Sequence, residues 1–452
     1  MEETTCIRFE EEELHDRDYT MEEAIQEARR CLHCANPLCR RGCPIANEIP
    51  QFTKAVAEGN FGEAADILAR HTNMPEICGR ICPRENQCEG ACILGKKGNP
   101  IQIGKIERFI ADLDKENHIR PVKKSTKKAG RVAVIGSGPA GLTVAHDLAG
   151  LDYDVTVYEE KGEPGGVLLY GIPSFRLKKS VVHRHIADLE AMGVQFVCQT
   201  KFGTDLTLEQ VWEQGYDACF LGMGTNVSQT LRLENDGLPG IVDASALLWT
   251  VQGVQNGEWS AEEIPVQPGQ TVLIIGAGNV AIDAARTCKR LGCKVTVVYR
   301  RGEANMKCLR SEYEEAKEEG IEFLFYHAPK GVTGTEKIEG LVCEIQEVLE
   351  DATMVPTGKM ETIPADVIVP AVGNVPEAAV LDTVPGLSRN TWNYLETKEL
   401  PYGMTSVPGV FAAGDLVHEP ATVVLAMKEA KKAAAGIDEY IKAKRLMDAA
   451  NA

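Results

Sequence analysis

From residue 131 onwards, short runs of consecutive apolar, β-branched residues alternate with longer helix-forming stretches. Arg131–Ile135 (RVAVI) has the pattern of a strand buried on both faces; a helical stretch and a second such run, Val155–Tyr158, follow. The same order recurs at Thr271–Ile275, a helix (AIDAARTCKRLG) and a strand (CKVTVVYRRGE). Phe220–Thr225 and Pro364–Gly373 read as return strands, and Val410–Leu416 as a further strand before a helix over Pro420–Ala435. Met306–Gly320 predicts an exposed acidic helix, and Tyr326–Asp351 antiparallel strands of the second copy. Before residue 120 the period is helical throughout: Met21–Arg30, Ile49–Gly59, Glu63–His71 and the amphipathic Pro100–Leu113. The expected fold is therefore α/β, a helical domain followed by two Rossmann-like nucleotide-binding domains, the second inserted in the first. The expected boundaries are 1–120, 130–267, 268–375 and 376–452, with a solvated lysine-rich spacer (RPVKKSTKKAG) before the first strand.

Composition narrows the setting. The chain has 452 residues and a formal net charge of −18, which argues against nucleic acid or an anionic membrane as main partner. The acidic start, MEETTCIRFEEEELHDRD, lacks the apolar segment of a secretory leader, and no apolar run is long enough to span a bilayer. A cytoplasmic location is expected, and there fifteen cysteines read as metal ligands or thiols, not disulfides.

Gly136, Ser137, Gly138, Pro139, Ala140 and Gly141 spell G-x-G-x-x-G between strand and helix. The first glycine permits a tight turn, the second lets a pyrophosphate reach the backbone, and the third lets helix and strand pack closely. Glu159, at the end of the second strand, can accept hydrogen bonds from a ribose diol, so the ligand is FAD or NAD. The second copy reads Gly276, Ala277, Gly278, Asn279, Val280, Ala281, but Arg300 and Arg301 stand where the acid stood. A guanidinium suits a 2′-phosphate that a carboxylate would repel. The first site thus reads as FAD and the second as NADP(H). Later in the chain, Gly414 and Asp415 end a strand where an acid can bond a ribityl chain. The following helix, with Thr422 and Val423 at its start, would turn its positive end to the flavin pyrimidine.

Eight cysteines fall in two groups: Cys31, Cys34, Cys39 and Cys43, then Cys78, Cys82, Cys88 and Cys92. Two tetrahedral zinc sites are one reading. The Cys43–Pro44 and Cys82–Pro83 endings match a ferredoxin-type run and favour iron–sulfur clusters.

CLHCANPLCRRGCPIANEIP, CGRICPRENQCEGAC, GSGPAGL, GGVLLYGIPSFRL, GAGNVAIDAAR, VVYRR and GVFAAGDL, in that order from about Glu22 to the end, resemble the glutamate synthase small-subunit family. That family is similar to the large subunit of NADH-dependent ferredoxin:NADP oxidoreductase and to the N-terminal half of dihydropyrimidine dehydrogenase. The resemblance implies FAD, NADPH and two 4Fe–4S clusters, with hydride passing between nicotinamide and flavin and single electrons leaving through the clusters. It assigns one cluster to Cys31, Cys34, Cys39 and Cys92, and the other to Cys43, Cys82, Cys88 and Glu107. Cys78 is then spare, whereas a plain cysteine count makes it a ligand. The resemblance also puts Gly166 and Leu168 at the flavin and nicotinamide. It implies a redox partner: the glutamate synthase large subunit, or a ferredoxin- or NADH-linked flavoprotein subunit of a bifurcating or sulfide-dehydrogenase-like complex. Asn279 and Val280, where many glutamate synthase small subunits carry Asp-Thr, lean towards the ferredoxin:NADP branch or a stand-alone homologue. A non-catalytic flavoprotein with structural clusters is the remaining expectation.

Overall fold

A computed structural model describes residues 18–349 and 353–451; the acidic start read for a leader lies largely outside them, as does Asp351. Before residue 120 the chain folds as α1 (Met21–Arg29), α2 (Leu38–Gly42), α3 (Ile49–Ala57), α4 (Phe61–Ala69), α5 (Pro75–Ile81) and α6 (Ile103–Asn117). Thr20 starts α1 through a capping box, in which its hydroxyl accepts from the Glu23 amide and the Glu23 carboxylate accepts from the Thr20 amide. Phe52, Val56, Leu68, Ile106 and Ile110 close a core between these helices. The cysteine loops hang from its edges.

Next come β1 (Arg131–Ile135), α7 (Pro139–Gly150), β2 (Asp154–Tyr158), α8 (Lys179–Met192), β3 (Gln195–Val197), α9 (Leu208–Glu213) and β4 (Ala218–Leu221). The chain continues through β5 (Val227–Ser228), α10 (Ala244–Gln255), β6 (Thr271–Ile275), α11 (Asn279–Arg290), β7 (Lys294–Tyr299), α12 (Arg310–Glu318) and β8 (Glu322–Phe325). Then follow β9 (His327–Gly334), β10 (Ile338–Val348), β11 (Met354–Pro364), β12 (Val367–Pro370), β13 (Asn374–Val375), α13 (Ala378–Leu381), β14 (Val410–Ala412) and α14 (Val423–Asn451). The first sheet is parallel, in the order β14-β4-β1-β2-β3; the second, also parallel, runs β12-β6-β7-β8. Each has its topological switch beside the strand that carries a glycine fingerprint, which is where such sheets open a ligand crevice.

Contacts divide the chain into two units. One holds Val227–Asn374 with Tyr170–Ser174; the other holds the helical segment, Phe175–Asn226 and the return from Val375. The inserted unit thus starts well before Pro268, because Leu247 and Val251 of α10 share a core with Ile282 and Ala285 of α11. Two local readings are corrected. The acidic helix begins only at Arg310 and is not simply exposed: Glu312, Tyr313 and Ala316 are buried. Beyond Asp351, Met354–Pro364 adds a third antiparallel strand, whose mostly solvent-facing residues gave no apolar alternation to read. Among the described residues no helix is long and apolar enough to cross a membrane.

Polar contacts fix α5 to the first nucleotide-binding fold within their shared unit. Glu76 and His185, both buried, meet at 3.0 Å between α5 and α8. Arg80 and Arg184 both bond Asp112, at 2.7 and 2.9 Å. Asn73 donates to Asp147 at 2.7 Å and accepts from Lys431 at 2.7 Å. Burial would raise the Glu76 carboxyl, but the His185 hydrogen bond and charge win and bring it down to about 2. A depressed carboxyl stabilises the fold above its ordinary value, and that contribution is lost as pH falls from about 4.5 towards about 2. His185→Ala, which strands a buried carboxylate, should cost about 3–5 kcal/mol by chemical denaturation. Glu76→Gln should flatten the acid limb of the wild-type stability profile; an unchanged limb would remove this pair from the account.

Candidate cofactor sites

At the first fingerprint the chain turns with Gly136 at φ +92°, and a Cβ there would lie 2.8 Å from the Gly222 carbonyl. Gly141 is tighter still, since its Cβ would fall 1.9 Å from the Gly136 carbonyl oxygen. Gly138, the N-cap of α7, faces open space: an added Cβ meets nothing within 4 Å. The amides of Ala140 and Gly141 lie in the first turn of the helix that begins there, the geometry that receives a pyrophosphate. Gly166, at φ +52°, comes so close that its Cβ would lie 2.7 Å from the Gly138 Cα. The fit to a dinucleotide is good.

Glu159 is 4% exposed and holds this loop. One oxygen accepts from the Ser137 amide at 2.9 Å and hydroxyl at 2.5 Å, the other from the Lys161 amide at 3.0 Å. Carboxylate oxygens retain acceptor capacity beyond these bonds, as a ribose diol needs. Ser137 was not singled out by the sequence, yet its buried hydroxyl also accepts from the Gly165 amide at 2.8 Å. It occupies a variable position of the motif, so only the fold reveals it. Leu168 is fully buried, with its carbonyl accepting from Lys179, and offers a ligand no side-chain surface; in this stretch Val167, 46% exposed, does. At the end of β14, a Cβ on Gly414 would come 3.0 Å from that of Ala140, which brings Asp415 beside the first fingerprint. Burial pushes Asp415 up to about 6, against a lowering hydrogen bond from the Ala421 amide. Thr422 opens α14, its hydroxyl accepting from the Leu425 amide at 3.3 Å.

The second fingerprint repeats the first. Gly276 sits at φ +135°, its Cβ 2.4 Å from the Ala371 carbonyl, and Gly278 faces open space at the N-cap of α11. Asn279 does not face that space alone: its Oδ1 accepts from the Leu309 amide at 3.2 Å and ties down the following loop. Val280 is 45% exposed. Arg300 and Arg301 follow β7 as Glu159 follows β2, and among the described residues neither guanidinium has an ion-pair partner. Two unneutralised cations side by side suit a dianionic phosphate.

The cysteines sort by space, not by sequence group. Cys31, Cys34, Cys39 and Cys92 line one cavity of about 70 Å³ walled by apolar side chains such as Leu38 and Ile49. Burial pushes the Cys39 thiol up to about 11. Cys43, Cys82 and Cys88 lie together elsewhere, each within electrostatic reach of Glu107. Cys78 adjoins this second group: its proximity raises the Cys82 thiol, it receives the Thr72 hydroxyl at 3.8 Å and it packs with Val424 and Met427 of α14. Glu107 is the informative member. It is 8% exposed, and among the described residues no hydrogen bond or ion pair reaches it. Burial pushes it up to about 8 against the pull of Arg84, with Glu76 and Glu89 adding to the rise. A surface acid beside Arg108 would need no partner; a buried one without any is suited to a ligand. Grouped cysteine thiols suit iron–sulfur ligation, and loading would have to expel the thiol protons.

The dihydropyrimidine dehydrogenase domain II, 4Fe-4S cluster family matches residues 8–119, and the pyridine nucleotide-disulphide oxidoreductase family matches residues 130–430. The Glutamate synthase [NADPH] small chain of Halomonas elongata is 37% identical over 434 residues, covering 94% of this chain and 92% of its own. Its Escherichia coli counterpart is 37% identical over 434 residues, covering 93% and 92%. Among solved structures, FprA from Mycobacterium tuberculosis in complex with NADPH has a TM-score of 0.59 at 20% identity, covering 71% of this chain and 86% of its own; that likeness is one of fold.

Two substitutions separate the cluster assignments. Cys78→Ala should keep about eight irons per chain, and Glu107→Ala should alter or abolish one cluster's electron paramagnetic resonance signal. Loss of four irons on Cys78→Ala with a silent Glu107→Ala would reverse the assignment. Gly166→Ala, adding its Cβ against Gly138, should empty most of the flavin site while leaving iron content intact; full flavin occupancy in that variant would place the flavin elsewhere.

Proposed function

The chain belongs to the pyridine nucleotide-disulphide oxidoreductase family, in the branch of the glutamate synthase small chains, and we propose that it is the NADPH-oxidising subunit that feeds electrons to a larger partner. It is an NADPH-linked FAD and iron–sulfur oxidoreductase. The bound flavin converts between hydride transfer and single-electron transfer. The open turn at Gly138 and the Ala140 and Gly141 amides hold the FAD pyrophosphate, Glu159 its ribose and Asp415 its ribityl chain. The start of α14 at Thr422 and Val423 turns its positive dipole end to the pyrimidine side. Gly276 and Gly278 admit the NADPH pyrophosphate, and Arg300 with Arg301 pairs its 2′-phosphate. Cys31, Cys34, Cys39 and Cys92 hold one cluster; Cys43, Cys82, Cys88 and Glu107 hold the other.

The observation carrying this division of labour is the contrast at equivalent positions, a buried acid after β2 and, after β7, two arginines without an ion-pair partner among the described residues. The partner that best fits is the glutamate synthase large subunit, because two relatives named Glutamate synthase [NADPH] small chain match nearly the whole chain at 37% identity. Asn279 and Val280 do not outweigh that coverage. We place the protein in the cytoplasm, where NADPH and reduced thiols coexist.

Dye-linked oxidation of NADPH and NADH by the purified holoenzyme tests the site assignment. Arg300→Ala with Arg301→Ala should raise the KM for NADPH at least tenfold and leave that for NADH little changed. A wild-type preference for NADH would overturn it.

A further inference from the structure

The cavity lined by Cys31, Cys34, Cys39 and Cys92 opens among residues of one sign. Between Arg29 and Asn47 the chain carries four arginines and no carboxylate, and between Ala91 and Asn99 two lysines and no carboxylate. Such stretches stand out in a chain whose net charge is −18. Arg30 is answered by Glu27 at 2.5 Å, and Arg40 lies 4.0 Å from Glu48. Arg29, Arg41, Lys96 and Lys97 are exposed, and among the described residues none has an ion-pair partner.

Packing brings these charges to the same part of the helical segment. Leu38 and Leu94 both line the cavity, so α2, which carries Arg41, and the turn that carries Lys96 and Lys97 border it directly. The Arg30 guanidinium donates to the Asn99 carbonyl at 2.7 Å, joining the end of α1 to that turn. Within this basic surround Leu32 is 60% exposed and Ile93 44% exposed, each next in sequence to a cavity cysteine. An apolar centre with a charged rim is the layout of a protein docking face. Cations that served only to offset the charge of a bound cluster would be buried against the cavity, whereas these four are exposed to water.

We propose that this face docks a redox protein whose own surface presents carboxylates around an apolar spot, so that electrons leave through the four-cysteine cavity beneath Leu32. The inference rests on the iron–sulfur reading above and adds to it the exit face and the charge of the partner. Like-charged repulsion elsewhere on this acidic chain would steer such a partner away from every other approach, and complementary rims set association rate and orientation.

The test uses the holoenzyme and, as probe, a purified acidic ferredoxin titrated by calorimetry at 50 and 250 mM salt. The expected result is a Kd that rises at least tenfold between the two salts. In the Arg41→Glu, Lys96→Glu, Lys97→Glu variant it should rise at least tenfold at low salt, with iron, flavin and NADPH-dependent dye reduction unchanged. Leu32→Ser should weaken binding at both salts without changing the salt dependence. Absence of binding by a wild-type protein that holds its clusters, or binding indifferent to the triple substitution, overturns the proposal. So does binding of anionic vesicles or duplex DNA in preference to the ferredoxin. A wild-type protein without iron or dye reduction would instead sink the functional reading on which the proposal rests.

Discussion

The approach of one backbone to another at two glycines is the constraint on which both nucleotide-binding folds depend. At Gly136 a side chain would strike the Gly222 carbonyl, and at Gly276 the Ala371 carbonyl. Only a residue without a Cβ lets the strand before the turn pair with the strand on its switch-point side and still deliver a helix N-terminus to the crevice. The consequence is the same in both places: Gly138 and Gly278 face open space with helix amides around it. What differs is the charge after the next strand. A common geometry with opposite charges is how one chain can hold two dinucleotides without confusing them.

The cluster sites depend on the opposite condition, crowding without polar satisfaction. Thiols sunk among apolar side chains, and a buried carboxylate without a hydrogen bond or ion pair among the described residues, are costly arrangements unless a ligand compensates them. Their position is held by polar contacts placed outside the sites: Glu76 with His185, Arg80 and Arg184 with Asp112, Asn73 with Asp147 and Lys431. These lock α5, which brings Cys78 and precedes Cys82, against α7, α8 and α14. Strain of desolvation inside and fully made hydrogen bonds around it are two halves of one design, because an electron carrier must be fixed in place to be rapid.

Much of this was legible in the residues. Strand and helix periods, the two fingerprints and the switch from Glu159 to Arg300 and Arg301 are local, and local patterns survive in a linear text because their physics spans only a few residues. Strands Arg131–Ile135 and Thr271–Ile275 fall where the apolar runs put them. The failures are also local in cause. Met354–Pro364 forms a strand with a mostly exposed surface, and Leu168 is buried although its neighbour Val167 is open, since a π-helical turn rotates adjacent residues to opposite environments.

By itself, then, the sequence determined the element types and the two dinucleotide folds, and it placed an acid after one second strand and two arginines after the other, all encoded over spans of about thirty residues. Cysteine spacing left the grouping open, and the tertiary structure shows which cysteines lie together. Cys92 joins Cys31, Cys34 and Cys39 across some fifty intervening residues, while Cys43 lies with Cys78, Cys82 and Cys88. It alone revealed that Glu107 is buried, without a hydrogen bond or ion pair among the described residues, and that Ser137 holds Glu159 in place. Burial and encounter across the chain come from packing, and packing is a property of the whole fold that no stretch of sequence carries alone.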